Sequence, residues 1–401
     1  MRNIFLLLLA SFIYSCSDTP LKKIKNQKAE NLIVHVDQAD TFVMSKFFKS
    51  IEYIPLQTPK DRPIGNITKI VVSDKLIFLF DETKKSIWIV TPEGKLVREI
   101  SIPEGNGPGE VFYMADFTIH NSTNQISILG SYKIAIYTIK GEHVRDIIVN
   151  HPVYKFIWLD DQYVLFASNS LYQNADIGNT GSNLIFINSE GNILETALPI
   201  DTRKRGLGLI PFNSFPVYDK YTLFYGHMDN RIYQLEDSAV SVRYTIDFGE
   251  YAVPDHIYDE RQNYRSKSDF FEKEIVKEGS AFFLSSVIET DQIVYFNFLT
   301  GHDPKQVIYN KVQKESYVIK KLVNDLDYGL APIFRTTHRG NLYTLIQPHD
   351  LLERVESIRK NYPDYLQSSK MDEVKRLTVN LSGSDNPIIM KAAVGGTIHN
   401  N

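Results

Sequence analysis

The chain has 401 residues, 43% of them hydrophobic and 23% charged, with a formal net charge of −4 at pH 7. That is the profile of a soluble globular protein, and the charge is too mild to argue for a nucleic-acid partner. A single cysteine, Cys16, excludes an internal disulfide framework, Cys-based zinc sites and CxxC redox chemistry.

In chain order, the first element is a leader. Met1, Arg2 and Asn3 give a short positive start, and residues 4–10 (IFLLLLA) form an apolar run. A permanent membrane helix needs about 20 residues, so residues 1–15 read as a signal peptide. Ile13, Tyr14, Ser15 and Cys16 resemble the bacterial lipobox. That resemblance implies cleavage before Cys16, lipid attachment at its thiol and a membrane anchor. Ser17, in place of an acidic residue, implies sorting to the outer membrane. Residues 16–30 are polar, lysine-rich and unpatterned, and are expected to be a flexible tether.

Short apolar runs bounded by Gly, Pro, Asn and Asp follow. Examples are 67–72 (ITKIVV), 76–80 (LIFLF), 87–90 (IWIV) and 96–100 (LVREI). These are strand signals with turn punctuation. They recur. TPEGKLVREI, TIKGEHVRDI and NSEGNILETAL each follow an apolar strand and carry a turn glycine, Gly94, Gly141 and Gly191, spaced by 47 and 50 residues. A fourth copy turns near Asp237, 46 residues on, and a fifth near Gln313, 76 residues further. The long gap contains a charged segment of helical character, residues 251–279; without these 29 residues the spacing returns to 47. About four short strands per period is the arithmetic of a β-propeller blade.

The sixth copy is interrupted. After 330–336 (LAPIFRT) and 342–346 (LYTLI) come helical stretches within 348–384, and then a third strand in 386–394 (NPIIMKAAV). Its outer strand is missing, while 51–57 (IEYIPLQ) is a strand with no unit of its own. The expected fold is therefore all-β: a six-bladed β-propeller of four-stranded antiparallel blades over residues 31–396. Its last blade is closed by an N-terminal strand, helical insertions fall at about 251–279 and 348–384, and 397–401 is a tail.

The stretches 105–112 (GNGPGEVF), 50–58 (SIEYIPLQT), 385–390 (DNPIIM) and the lipobox are similar to those of the six-bladed β-propeller lipoproteins of Bacteroidetes-type bacteria, which are NHL-like in shape. The resemblance implies fold and address. It carries no common activity.

Catalytic signatures are absent from the sequence: no HExxH, no GxSxG and no phosphate loop. The glycines of 105–109 join strands, with no helix start behind them, and read as turn glycines. Arg203, Lys204 and Arg205 read as a solvated loop. The densest polar constellation is His227 with Asp229 and Arg231, and His338 is expected in a matching turn; these four are the candidate ligand-binding residues. No metal and no cofactor is expected. The functional expectation is a monomeric, lipid-anchored binding or scaffold protein of the cell envelope, facing a glycan, peptide or envelope protein. The alternative is a propeller-type lyase or hydrolase acting on glycans or peptides at the channel mouth.

Overall fold

The structure, a computed structural model, describes residues 20–395 apart from 23, 26–27, 60, 121, 150, 152, 168–180, 208–210, 212, 227 and 237–238. The leader, Cys16, His227, the Asp237 turn and the tail thus lie outside the described residues.

The described strands form six sheets, each with a core of four antiparallel strands. Sheet I is Ile67–Val72, Ile77–Asp81, Ser86–Val90 and Leu96–Ser101. Sheet II is Asp116–His120, Gln125–Leu129, Lys133–Thr138 and His143–Ile148. Sheet III is Lys155–Leu159, Gln162–Phe166, Ser182–Ile187 and Ile193–Pro199. Sheet IV is Val217–Tyr218, Tyr221–Phe224, Arg231–Glu236 and Ala239–Asp247. Sheet V is Ala281–Glu289, Ile293–Thr300, Asp303–Asn310 and Glu315–Val323. Sheet VI takes Thr336–His338, Asn341–Ile346 and Ile388–Val394 from the C-terminal region. Its fourth strand is Phe48–Pro55, antiparallel to Ile388–Val394.

The second and third strands read as continuous apolar runs because both their faces are covered. Each sheet is sandwiched between two others, and the core divides accordingly. Phe78 and Ile87 of sheet I pack with Phe117 and Ile128 of sheet II. Ile136 of sheet II meets Tyr163 of sheet III, and Phe186 of III meets Phe224 of IV. Tyr244 of IV meets Phe296 of V, and Tyr295 of V meets Tyr53 and Met390 of VI. The last cluster joins Ile54 and Ile389 of sheet VI to Leu79 and Trp88 of sheet I.

The recurring glycines follow from this order. Gly94, Gly141 and Gly191 have φ of +83°, +85° and +90° in the turn between third and fourth strands. A Cβ at Gly94 would strike the Pro55 carbonyl of sheet VI, and one at Gly191 would lie 2.7 Å from the Ile148 carbonyl of sheet II. Positive φ and close backbone approach together select glycine. Phe48–Pro55 thus stands before sheet I as the outer strand of sheet II stands before sheet III.

The expected tether is in part docked. Lys22 N donates to the Thr196 carbonyl of sheet III. The Lys22 ammonium is buried against Glu195, 2.8 Å away, and lies over the Phe186 ring. Ile24–Lys25 and Glu30–Ile33 add parallel strands to the outer edge of sheet IV, and Asp40–Val43 adds one to sheet V. The physical reason is the open edge of each outer strand: it presents unpaired N–H and C=O groups that an extended segment satisfies.

Residues 251–279 fold into helical turns, with Ile257, Phe270 and Ile275 packed on Phe282. After sheet VI's second strand come the helices Pro348–Asn361 and Asp372–Thr378.

Candidate functional site at the leading end of the first strands

The first strands of the sheets approach one another; that of sheet VI lies near those of sheets I, IV and V. Where sheets II and III meet they run in parallel register, with Phe156 N donating to Asp116 Oδ2 at 3.2 Å and Trp158 N to Thr118 Oγ1 at 3.4 Å. The end at which these strands begin is called here the leading end.

Four charged side chains gather there. Lys69 Nζ of sheet I donates to Asp116 Oδ1 and to the Phe117 carbonyl, both at 2.8 Å. Burial pushes the Lys69 ammonium down, Asp116 pulls it back up, and the neighbouring Lys155 cation lowers it again. Lys155, first residue of sheet III, reaches the Ala115 carbonyl at 3.4 Å. Arg335 Nη1 donates to the Ile67 carbonyl at 2.8 Å. The Arg335 side chain keeps an exposed surface, yet the protein around it lowers the guanidinium through desolvation alone, with no carboxylate opposing.

At the same end of sheet VI is a cleft of about 510 Å³, lined by Leu330, Ala331, Pro332, Leu345 and Ile346 and, on the side of the following helix, by Asp350, Glu353, Arg354 and Ser357. Leu330–Pro332 lie just upstream of Arg335. The helix Pro348–Asn361 starts after Ile346, and Arg354 Nε ties it down by donating to the Tyr328 and Gly329 carbonyls at 3.0 and 3.2 Å. Its wall is apolar on the strand side and charged on the helix side, where Asp350 and Glu353 stand with Arg354.

The candidates named from the sequence lie elsewhere. Asp229 is already engaged: Arg231 Nε donates to its Oδ1 and the Tyr233 hydroxyl to its Oδ2, each at 2.7 Å. His338 and Arg339 both reach Asp74 of sheet I, at 2.8 and 2.5 Å. The turns do not match as expected. Asp229 sits between the second and third strands of its sheet, whereas His338 ends a first strand. Antiparallel order puts those two turns at opposite ends of a sheet. Asp229 and Arg231 are therefore not brought together with His338, and His227 lies outside the described residues.

The basic loop is also engaged. Arg203 pairs with Asp201, Asp255 and Asp259, which fastens the 251–279 insertion to it. The glycine-rich loop binds its own carboxylates: Gly107 N donates to Glu110 Oε2 at 2.8 Å and Gly109 N to Asp146 Oδ2 at 3.1 Å.

One nucleophile–base pair escaped the sequence reading. Ser127 Oγ lies 2.8 Å from His120 Nε2 and 2.7 Å from the Tyr163 hydroxyl, and His120 stacks on Trp158 at 4.2 Å. All of Ser127, His120 and Tyr163 are buried. Burial drives the imidazole down to about 4, so it stays neutral. No carboxylate orients it among the described contacts, and no substrate reaches it: the trio satisfies polar groups inside the II–III interface.

The leading-end charges did leave a signal in the sequence. Lys69, Asp116 and Lys155 are the charged positions at or near the start of otherwise apolar first strands, ITKIVV, DFTIH and KFIWL. Only the convergence of those strands makes them one group.

All-β architecture from four-stranded antiparallel sheets gives the class, and solved structures share it. A protein of Bacteroides fragilis NCTC 9343, described as exported, superposes with a TM-score of 0.73 at 14% identity, covering 93% of this chain and 100% of that one. A DUF4221-family member from Bacteroides vulgatus (TM-score 0.45, 9% identity, 87% and 97% covered) and a streptogramin B lyase (0.37, 14%, 74% and 80%) are more distant. The chain belongs to the family described as Domain of unknown function (DUF4934), whose model matches residues 29–393. No curated protein matches. Among the described residues no helix is long and apolar enough to cross a membrane, and no group of His, Cys, Asp and Glu has a metal-holding arrangement.

Proposed function

We propose that this chain is a lipid-anchored lipoprotein of the outer membrane and a closed, six-bladed, NHL-like β-propeller. It acts at the cell envelope as a monomeric binding or scaffold protein for a glycan, peptide or protein ligand. The closed ring is supported by the unbroken succession of inter-sheet cores, from I–II round to VI–I. The anchor is supported by the lipobox resemblance at Cys16 and by the exported likeness in Bacteroides fragilis.

The observation that carries the binding reading is the leading end. There a cleft with an apolar wall and a charged wall lies just upstream of the exposed Arg335, while the Ser127–His120 pair is sealed elsewhere. Concave apolar sites with a few convergent polar groups are the usual form of ligand pockets.

The mature chain, screened against glycan and peptide arrays, should capture a ligand without converting it. Cleavage of the captured ligand would return the reading to a lyase or hydrolase. Replacing Cys16→Ala should move the protein from the membrane to the soluble fraction; retention in the membrane removes the anchor.

A further inference from the structure

A free tether over residues 16–30 could extend about 50 Å, at roughly 3.4 Å per residue. The docking of its first part removes most of that reach. Thr196 N donates to the Pro20 carbonyl at 2.9 Å, and Lys22 N returns a bond to the Thr196 carbonyl at 2.8 Å. The buried Lys22 ammonium, against Glu195 and over the Phe186 ring, fastens the segment to the outer strand of sheet III. Between Cys16 and Pro20 lie Ser17, Asp18 and Thr19 alone. Even fully extended, they leave the edge of sheet III no more than about 14 Å from Cys16.

That edge carries apolar side chains in water. Leu21 is 65% exposed, Ile24 47% and Leu194 42%. Leu21 pairs with Thr196, and Leu194 stands two residues before Thr196, so both side chains leave the same face of the sheet. Ile24 continues the edge on sheet IV, opposite Val240. Exposed lysines accompany them: Lys28, and Lys220, which acts on the same Glu236 that Lys25 bonds. Apolar side chains among lysines suit the boundary between lipid headgroups and acyl chains.

We propose that the outer edges of sheets III and IV, through Leu21, Ile24 and Leu194, are a membrane-contact surface for the bilayer that holds the Cys16 chains. This rests on the anchored, ring-shaped reading above and gives it an orientation. The sheets meet the bilayer by their outer edges, so their strands run along the membrane and the leading end opens sideways. In the ring, sheet VI stands opposite sheet III, which puts the cleft beside Pro348–Asn361 on the side away from the lipid.

The test uses the lipidated chain in vesicles of phosphatidylethanolamine and phosphatidylglycerol. With Cys16 acylated, the cysteine introduced by Leu194→Cys, or by Arg359→Cys at an exposed position of Pro348–Asn361, is the sole free thiol and takes one fluorophore. A headgroup-borne quencher should quench the label at position 194 at least threefold more than that at 359. Equal quenching overturns the surface. A second form carries about ten Gly and Ser residues inserted after Thr19, so that the tether no longer enforces proximity. There position 194 should stay at least twofold more quenched than 359, and Leu21→Asp with Ile24→Asp should abolish the difference. Loss of the difference on lengthening alone overturns the surface, as does its survival in the double variant. A melting curve accompanies each form, and Leu21→Ser with Ile24→Ser replaces the aspartates if they unfold the chain. Membrane retention of Cys16→Ala removes the anchor reading itself, whereas an anchored chain with equal quenching overturns this surface alone.

Discussion

Sheets I–III and sheets IV–VI are built by different means. The first three are serial: each is four consecutive strands, and each turn from third to fourth strand is marked by a positive-φ glycine. The last three take whole strands from the N-terminal region, which reaches sheet III through backbone bonds at Thr196. Ile24–Lys25 and Glu30–Ile33 edge sheet IV, Asp40–Val43 edges sheet V, and Phe48–Pro55 supplies a strand of sheet VI. Their partners are hundreds of residues away in sequence, so these pairings carry a loop-closure cost that the serial hairpins do not. The two halves differ inside as well. The first strand of sheet II ends in His120, in a neutral network with Ser127 and Tyr163. That of sheet V ends in Glu289, a buried carboxylate receiving Arg243, Lys311 and the Tyr244 hydroxyl, each at 2.7 Å. Equivalent positions thus solve the burial of a polar group once without charge and once with it. The lesson is that the serial half can be specified locally, while the borrowed half depends on long-range contacts and on charge.

The comparison breaks most severely at the strand Phe48–Pro55. Tyr53, Ile54 and Leu56 are nearly fully buried, and their burial contributes roughly 5–9 kcal/mol, as much as a whole domain's net stability. Deleting residues 51–57 should leave the chain unfolded or aggregated, read by circular dichroism and size exclusion. An undiminished melting temperature would show that sheet VI needs no borrowed strand.

Next in size is Glu289→Ala. It leaves two half-buried cations, Arg243 and Lys311, without their buried carboxylate and should cost up to roughly 3–5 kcal/mol in urea unfolding. A loss below about 1 kcal/mol would mean that the charged network is solvated and resembles the surface pairs.

The smallest effect is titrational and belongs to the serial half. The His120 imidazole sits at about 4 when folded, against an ordinary value near 6.5. Between those pH values the unfolded chain binds a proton that the folded chain refuses, so stability falls as pH drops from about 6.5 to about 4 and then levels off for this group. The loss is roughly 3 kcal/mol at most. Unfolding free energies of the native chain and of His120→Gln, measured across that window, should differ in slope, the native chain being steeper. Parallel curves would place the imidazole in contact with water.

Much of the fold was legible in local pattern. Gly94, Gly141 and Gly191 announced the repeat because all three turns need a positive φ, and at Gly94 and Gly191 a close carbonyl also leaves no room for a Cβ. The helical insertions showed themselves by their change of period. The docked segment around Lys22 did not, because a parallel edge strand of two to four residues has no periodicity of its own, and its partner sets its structure. The candidate site was the least legible part. His227, Asp229, Arg231 and His338 drew notice by crowding along the sequence, and crowding at a turn reflects turn chemistry.

The sequence by itself determined the all-β class and the spacing of its sheets, since strand alternation and turn residues act over a few positions. It also set out the N-terminal features from which an address can be read. Only the tertiary structure decided that Lys69, Asp116, Lys155 and Arg335 share one end of the first strands, and that Glu289 and His120 are buried in different company. Those outcomes depend on which strands converge, and convergence is fixed by packing between segments that no local pattern connects.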